Sequence, residues 1–100
     1  MFHFSFEDIK KTFENLKQSK FKYILITNHD LEKTNIKNEE IITGSFRFLD
    51  FHLPPFSFKK NYNLEILDLD YPKTRVDKKM LIYLKENFIF NVENFLNNTK

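Results

Sequence analysis

The run from Tyr23 to Thr27, with the sequence Y-I-L-I-T, decides the fold class expected of this 100-residue chain. It is continuously apolar and rich in β-branched residues, which is typical of a strand covered on both faces. Such strands occur in parallel sheets that are flanked by helices. We therefore predict an α/β fold, and the neighbouring segments are interpreted around this strand.

A helix is predicted on the N-terminal side of the strand. The Ser5 hydroxyl is placed to accept from the third helical N–H group, and Asp8 puts an acid in the first turn. The helix should end near Ser19. Apolar residues recur at helical spacing between these points, at Phe6, Ile9, Phe13 and Leu16.

The segment after the strand is predicted to be irregular. Residues Asn28 to Glu40 are polar and should form a mobile loop. They lead into Ile41–Phe58, I-I-T-G-S-F-R-F-L-D-F-H-L-P-P-F-S-F, which holds the only glycine. Pro54 and Pro55 keep this phenylalanine-rich segment from forming a central strand, so we expect it to pack as an extended cover over the sheet.

The remaining residues predict a hairpin and a final helix. Leu64–Leu69 has a strand pattern, Asp70–Asp77 contains a proline and should be the turn, and Lys79–Leu84 should return as an antiparallel strand. A terminal helix is predicted from apolar residues at helical spacing, at Phe88, Val92, Phe95 and Leu96.

Composition narrows the possible functions. The chain is 41% hydrophobic and 17% aromatic, so it can bury a core, and its length allows one domain. The net charge of +2 comes from interleaved signs without a basic patch, which argues against nucleic-acid binding. The lack of cysteine excludes disulfides and thiolate chemistry and fits a reducing cytoplasm. No apolar run approaches the roughly 20 residues of a membrane helix.

Three motifs in this order resemble the C-terminal half of a group of class I S-adenosylmethionine-dependent methyltransferases. A helix entry F-H-L-S-x-x-D-I is matched by Phe2, His3, Phe4, Ser5, Asp8 and Ile9. The strand K-Y-L-L-x-T is matched by Lys22 to Thr27. A following segment, N-x-D-I-x-T-G-x-W-R-x-L-N-L-x-x-P-P-F, is matched at Asn38, Ile41, Thr43, Gly44, Arg47, Leu49, Pro54, Pro55 and Phe56, with Glu40, Phe46 and Asp50 as departures.

The resemblance covers about residues 2–84 and implies a partial doubly wound, Rossmann-like methyltransferase sheet that ends in an antiparallel hairpin. On this view residues 1–100 form a single partial domain whose N-terminal half is absent. Met1–Phe4 then looks like the end of a strand whose remainder is missing. In the family, a glycine-rich loop in that first half lets the backbone approach the cofactor. With one glycine, this chain cannot contain the loop.

The expected function follows from the lack of this glycine-rich loop. The chain is expected to be a truncated or split methyltransferase segment that supplies the substrate side and cannot bind S-adenosylmethionine unless an N-terminal half completes it. The alternative is a non-catalytic interaction module or inactive remnant. An unpaired edge of the first strand predicts either self-association or docking with a complementary N-terminal fragment. The catalytic residues and the methyl acceptor are not determined by the sequence.

Two histidines and an asparagine are candidate substrate-binding residues. Asn28 and His29 come at the carboxyl end of the strand, where a substrate group or methyl acceptor would lie. His29 could serve as a general base, since its unperturbed pKa is close to neutrality, or it could be an exposed loop histidine. His3 would face the crevice in the resembling family, or it could be a frayed terminal residue.

The other candidates lie in the glycine-containing segment. Thr43 and Gly44 belong to the motif, and Gly44 should supply a positive φ angle or a close backbone approach. Arg47 either forms a structural ion pair with Asp50 or clamps an anionic substrate group, and the surrounding phenylalanines favour the ion pair. His3, His29 and His52 do not have the spacing of metal ligands, so we predict no metal site.

Overall fold

The structure is a computed structural model that describes residues 1–67 and 76–98. Its first element is the predicted helix, α1 (Phe6–Gln18), and the predicted cap is confirmed because the N–H of Asp8 donates to Ser5 Oγ over 3.2 Å. Ile9 and Phe13 on its apolar stripe are fully buried. The apolar spacing therefore identified the face that packs on the core.

Within the described residues, three strands form one sheet: β1 (Tyr23–Asp30), β2 (Leu64–Leu67) and β3 (Asp77–Leu84). Their order is β1-β3-β2, and both pairs are antiparallel. The predicted antiparallel hairpin is confirmed, and the α/β class is confirmed in general terms. The parallel pairing expected of β1 is not present in the described sheet. Most of the predicted turn lies outside the described residues; of its two described members, Val76 and Asp77, the second already belongs to β3.

Two predictions about β1 were wrong. The strand does not end at Thr27, because Asn28, His29 and Asp30 continue it, and Asn28 and His29 are buried. The strand is also not covered on both faces, since Tyr23 is 51% and Leu25 is 54% exposed. Apolar composition alone cannot distinguish a strand with two packed faces from one whose second face is left open.

The uncovered side of the sheet is called the open face here. Side chains alternate along each strand, and the register places the same parity of the three strands on one side. Its members are Tyr23, Leu25 and Thr27 of β1, Leu64 and Ile66 of β2, and Met80, Ile82 and Leu84 of β3. His29 and Lys78 lie farther along the same side, where the ring of Phe2 is near both.

The opposite face of the sheet carries the core. Ile26, Leu81 and Tyr83 point into it and meet both helices and the segment around Phe51–Phe58. That segment is irregular, and its Phe51, Phe56 and Phe58 are buried in the core, as predicted for a cover over the sheet. Phe13 lies at the centre, with ring centroids of five other phenylalanines between 5.5 and 6.2 Å away, namely Phe51, Phe56, Phe58, Phe88 and Phe95.

The last element, α2 (Lys85–Asn98), begins directly after β3 and confirms the predicted terminal helix. Its buried Asn91 accepts from the N–H of Lys59 over 3.0 Å and donates to Asn61 Oδ1 over 2.8 Å. The Tyr83 hydroxyl donates to the carbonyl of Lys59 over 3.2 Å. These bonds attach residues 59–61, which lead into β2, to α2 and to β3.

Candidate functional site

A buried hydrogen-bond network surrounds Asp50 at the carboxyl end of β1. Asn28 Nδ2 donates to Asp50 Oδ1 over 3.1 Å, and the N–H of His52 donates to the same oxygen over 3.0 Å. The other carboxylate oxygen accepts from the N–H of Leu31 over 3.0 Å. Asp50 is 1% exposed, so these three donors replace the water that a carboxylate otherwise requires.

Both the oxygen and the nitrogen of the Asn28 side-chain amide form hydrogen bonds in this network. Its oxygen accepts from the N–H of Phe51 over 2.7 Å while its nitrogen serves Asp50. The side chain is 2% exposed. The predicted substrate-binding residue Asn28 therefore acts here as a structural link between β1 and the segment that follows Arg47.

Asn38 closes the network from the other side. Its oxygen accepts from the N–H of Asp50 over 2.8 Å, and its nitrogen lies within 2.7 to 3.2 Å of the carbonyl oxygens of Asp50, Leu53 and Pro54. One side chain thus fixes the loop after β1 against the Pro54–Pro55 turn. The motif included Asn38, but its role was not predicted.

His29 is buried on the other side of β1, with 1% of its surface exposed. Its Nδ1 accepts from the N–H of Leu49 over 3.0 Å, so the neutral ring carries its proton on Nε2. Burial lowers the pKa of His29 to about 4, assisted by the charge of Lys78 and opposed by the charge of Asp50. At neutral pH the ring is uncharged, its Nδ1 lone pair is occupied by the N–H of Leu49, and its buried Nε2 has no hydrogen-bond partner in the described residues. The arrangement therefore does not supply the general base that was considered for His29.

Phenylalanine rings enclose His29. The rings of Phe2, Phe46 and Phe48 each meet it edge-on, with centroids 5.2 to 6.2 Å away. His3 lies against Phe2 and Phe46 from the outside, and its Nδ1 is 3.0 Å from the carbonyl of Ser45. His3 is therefore exposed yet held in place, which differs from both a free crevice contact and a frayed end.

Arg47 does not form the predicted ion pair with Asp50. Its Nη1 donates to the carbonyls of Phe2 and Phe4 over 3.1 and 2.7 Å, and its guanidinium lies 5.1 Å from the Phe6 ring centroid. Burial lowers the pKa of Arg47, and the charge of Glu40 opposes that shift. Asp50 already has three donors in its own network, which explains why the two side chains are not paired.

Thr43 and Gly44 attach the same segment to the start of α1. Thr43 Oγ1 accepts from the N–H of Ser5 over 3.0 Å and donates to Asp8 Oδ2. Gly44 has a φ angle of 102°, as predicted, and its N–H donates to the carbonyl of His3 over 2.8 Å. The N–H of Phe6 donates to Glu40 Oε1 over 2.7 Å. In the first turn of α1, the N–H groups of Phe6 and Asp8 are thereby satisfied by side-chain oxygens.

The structure therefore divides the six predicted site residues into two groups. His3, Thr43, Gly44 and Arg47 hold the N-terminal segment against residues 40–47, whereas Asn28 and His29 lie in β1. The ring of Phe2 connects the groups, because it contacts both His3 and His29. Sequence reasoning missed Phe2 as this link. It also missed the network centre Asp50, although an aspartate within F-L-D-F was a signal of a buried carboxylate.

An open cleft of about 870 Å³ lies beyond the carboxyl end of β1. Leu31, Phe6 and Ile36 provide apolar walls, and the Pro54–Pro55 turn borders it. Both the loop and the turn are held by Asn38, so the Asp50 network shapes this cleft. None of the six predicted site residues lines it. Its size and largely apolar lining match those of small-molecule sites.

No protein-family model matches this chain, and it matches no curated protein and no solved structure. In residues 1–67 and 76–98, no three histidine or carboxylate side chains are arranged to hold a metal ion. Neither helix in this part of the chain is long and apolar enough to cross a membrane.

Proposed function

We propose that this chain is the substrate-side segment of a class I S-adenosylmethionine-dependent methyltransferase, and that a segment outside these 100 residues supplies the cofactor half. The carrying observation is the order of elements: α1, β1, a long irregular segment, then an antiparallel hairpin whose second strand pairs with β1. The resemblance in the three motifs implies this order for the end of the family's sheet.

The position of the cleft supports the substrate-side role. In open α/β sheets, ligands bind outside the carboxyl ends of the strands. Leu31 follows β1 directly and lies in the wall of the cleft. The acceptor is best matched by a small molecule with an apolar body. Interspersed surface charge argues against a nucleic-acid acceptor.

The presence of a single glycine supports placing the cofactor site outside this chain. Gly44 is the only glycine, and its N–H is engaged by the carbonyl of His3. A cradle for the cofactor needs a glycine-rich turn after a strand, where the backbone can approach the ligand. His29 is not expected to deprotonate the acceptor, since it is buried, its Nδ1 accepts from Leu49 and its proton is on Nε2. We expect that group on the segment that supplies the cofactor.

Calorimetry with S-adenosylmethionine on the chain alone tests this division of roles. No binding is expected, and submillimolar binding would overturn it. The positive test is coexpression with a glycine-rich βαβ half taken from the neighbouring coding sequence. Methyl transfer by the mixture, lost when the glycine-rich turn is mutated, supports the proposal, and an inert but associated mixture contradicts it.

The second candidate is a non-catalytic interaction module that self-associates or binds a partner. The open face favours it, because Leu25, Leu64 and Ile66 are each close to half exposed on one side of the sheet. Light scattering coupled to size-exclusion chromatography distinguishes self-association from binding of a different partner. A stable monomer at all concentrations argues against self-association.

A further inference from the structure

The cleft beyond β1 combines apolar walls with two charged residues. It is open, with a volume of about 870 Å³, and its walls come from the start of α1, the loop after β1 and the Pro54–Pro55 turn. Its apolar lining residues are Phe6, Leu31, Ile36, Leu53, Pro54 and Pro55. The charged residues that line it among those described are Glu32 and Lys37. Whether these two charges are already paired decides which ligand chemistry fits the cleft.

Glu32 has a partner, whereas Lys37 has none among the described residues. Lys60 Nζ lies 2.7 Å from Glu32 Oε1, and this hydrogen bond raises the pKa of Lys60. Lys37 is exposed and forms no ion pair or hydrogen bond in residues 1–67 and 76–98. Its ammonium group is therefore available to a ligand that enters the cleft.

A buried cation adds positive potential at the wall formed by Phe6. The guanidinium carbon of Arg47 is 5.1 Å from the centroid of the Phe6 ring. Arg47 Nε and Nη2 are buried and have no hydrogen-bond partner in the described residues. The carboxylate of Glu40 acts on Arg47 but does not line the cleft. Its Oε1 accepts from the N–H groups of Phe6 and Ile41. A positive wall and a free ammonium group at the same cleft favour an anion.

The number of free charges limits the anion to a single negative charge. One ammonium group balances one carboxylate and can donate hydrogen bonds to both of its oxygens. A ligand with several negative charges would hold the others unpaired beside apolar walls, which is costly. A cationic ligand would be repelled by Lys37 and Arg47. The apolar lining requires that the rest of the ligand be apolar.

A second groove of about 750 Å³ is a poorer match for an anion. It lies near the end of α1 and the start of α2, and its apolar walls include Phe21, Ile89 and Phe90. Two carboxylates, Glu86 and Glu93, also line it. Lys85 Nζ in this groove already donates to the carbonyl of Ser19 over 2.6 Å. An anion would meet repulsion there from both glutamates.

We propose that the cleft beyond β1 binds a small molecule with one carboxylate on an apolar body, the carboxylate at Lys37 and the body against Phe6 and Leu53. That this ligand is the substrate rests on the methyltransferase function proposed above, whereas its binding is measured without cofactor. Octanoate and octylamine are the probes, because they share an apolar body and carry opposite charges at neutral pH. Nuclear magnetic resonance titrations of the isotope-labelled chain give both the Kd and the location of each probe.

The expected Kd of octanoate is about fivefold lower than that of octylamine in low salt, and high salt should reduce the difference. Lys37→Gln should raise the octanoate Kd about threefold, and Lys37→Glu should remove the preference for octanoate. The matched control is Lys33→Gln, since Lys33 is exposed and does not line the cleft, and it should leave the Kd unchanged.

The apolar wall is tested by Ile36→Asn, with folding checked by circular dichroism. This variant should weaken the binding of both probes, because Ile36 lines the cleft. Ile42→Asn is its control, since Ile42 is 84% exposed and does not line the cleft, and it should bind both probes as the wild type does.

Chemical-shift changes on adding octanoate should centre on Phe6, Leu31 and Ile36. Changes centred on Phe21 and Phe90 would place the ligand in the second groove and overturn the proposal. So would a lack of octanoate binding, equal affinity for the two probes, or an octanoate Kd that Lys37→Gln leaves unchanged. Octanoate binding with no methyl transfer by the completed mixture would contradict the proposed function alone. Methyl transfer without octanoate binding would contradict the ligand class alone.

Discussion

Leu49 and His29 exchange two hydrogen bonds: the N–H of His29 donates to the carbonyl of Leu49 over 2.8 Å, and the N–H of Leu49 donates to His29 Nδ1 over 3.0 Å. The second bond requires an unprotonated Nδ1. Residues 46–51 are therefore held against the edge of β1 by a bond that forms only when the His29 ring is neutral.

Acid should weaken the fold through His29. The folded pKa of about 4 lies below the ordinary value of 6.5, so the unfolded state binds more protons between these values. Stability is then fully present above about pH 6.5 and falls as the pH is lowered to about 4, by about 3 kcal/mol from this residue. Urea unfolding across this range measures it. His29→Asn keeps an acceptor near Nδ1 without titrating and should show a shallower decline; an equal slope would contradict the assignment.

Removal of the Asp50 carboxylate should be strongly destabilising. Asp50→Ala leaves Asn28 Nδ2 and the N–H groups of Leu31 and His52 without their acceptor in a buried site. We expect a loss of about 3 kcal/mol in the free energy of unfolding by urea. The control is Glu39→Ala, because Glu39 is exposed, and its effect should stay within about 0.5 kcal/mol. Similar losses in both variants would show that the network is not holding the loop.

Arg47→Met should act mainly on the N-terminal segment. The variant removes the donors to the carbonyls of Phe2 and Phe4 while also removing a cation that is costly to bury, so the two effects on global stability oppose each other. The N–H of Gly44, which donates to the carbonyl of His3, reports on the segment locally. Its hydrogen exchange should accelerate about tenfold, equivalent to about one lost hydrogen bond. Lys33→Met, at an exposed loop position, should leave this rate unchanged.

Phe13 should be the most costly core ring to truncate. Phe13→Ala removes contacts with five other phenylalanines and opens a cavity, for an expected loss of about 4 kcal/mol. Phe90 on α2 is 47% exposed, and Phe90→Ala should cost much less in the same thermal and urea unfolding experiments. A comparable loss of stability in the two variants would contradict the central position of Phe13 in the core.

Local patterns in the sequence were sufficient for the helices and the hairpin. Ser5 and Asp8 define the start of α1, and the apolar residues of β2 and β3 indicate their pairing, because these signals are short-range. The exposure of Leu25 and the burial of His29 were not predictable, since both depend on which elements pack against β1. Arg47 and Asp50 are close in sequence and opposite in charge, but their partners come from residues far away along the chain.

The strand in the middle of the sheet is the last of the three to be synthesised. β3 pairs with β1 on one side and with β2 on the other, whereas β1 and β2 do not pair with each other. In a nascent chain that has emerged only as far as Val76, the apolar segments of β1 and β2 therefore have no strand to pair with. Its assembly must wait for translation to pass Leu84, and the interval before that is when chaperone protection matters most.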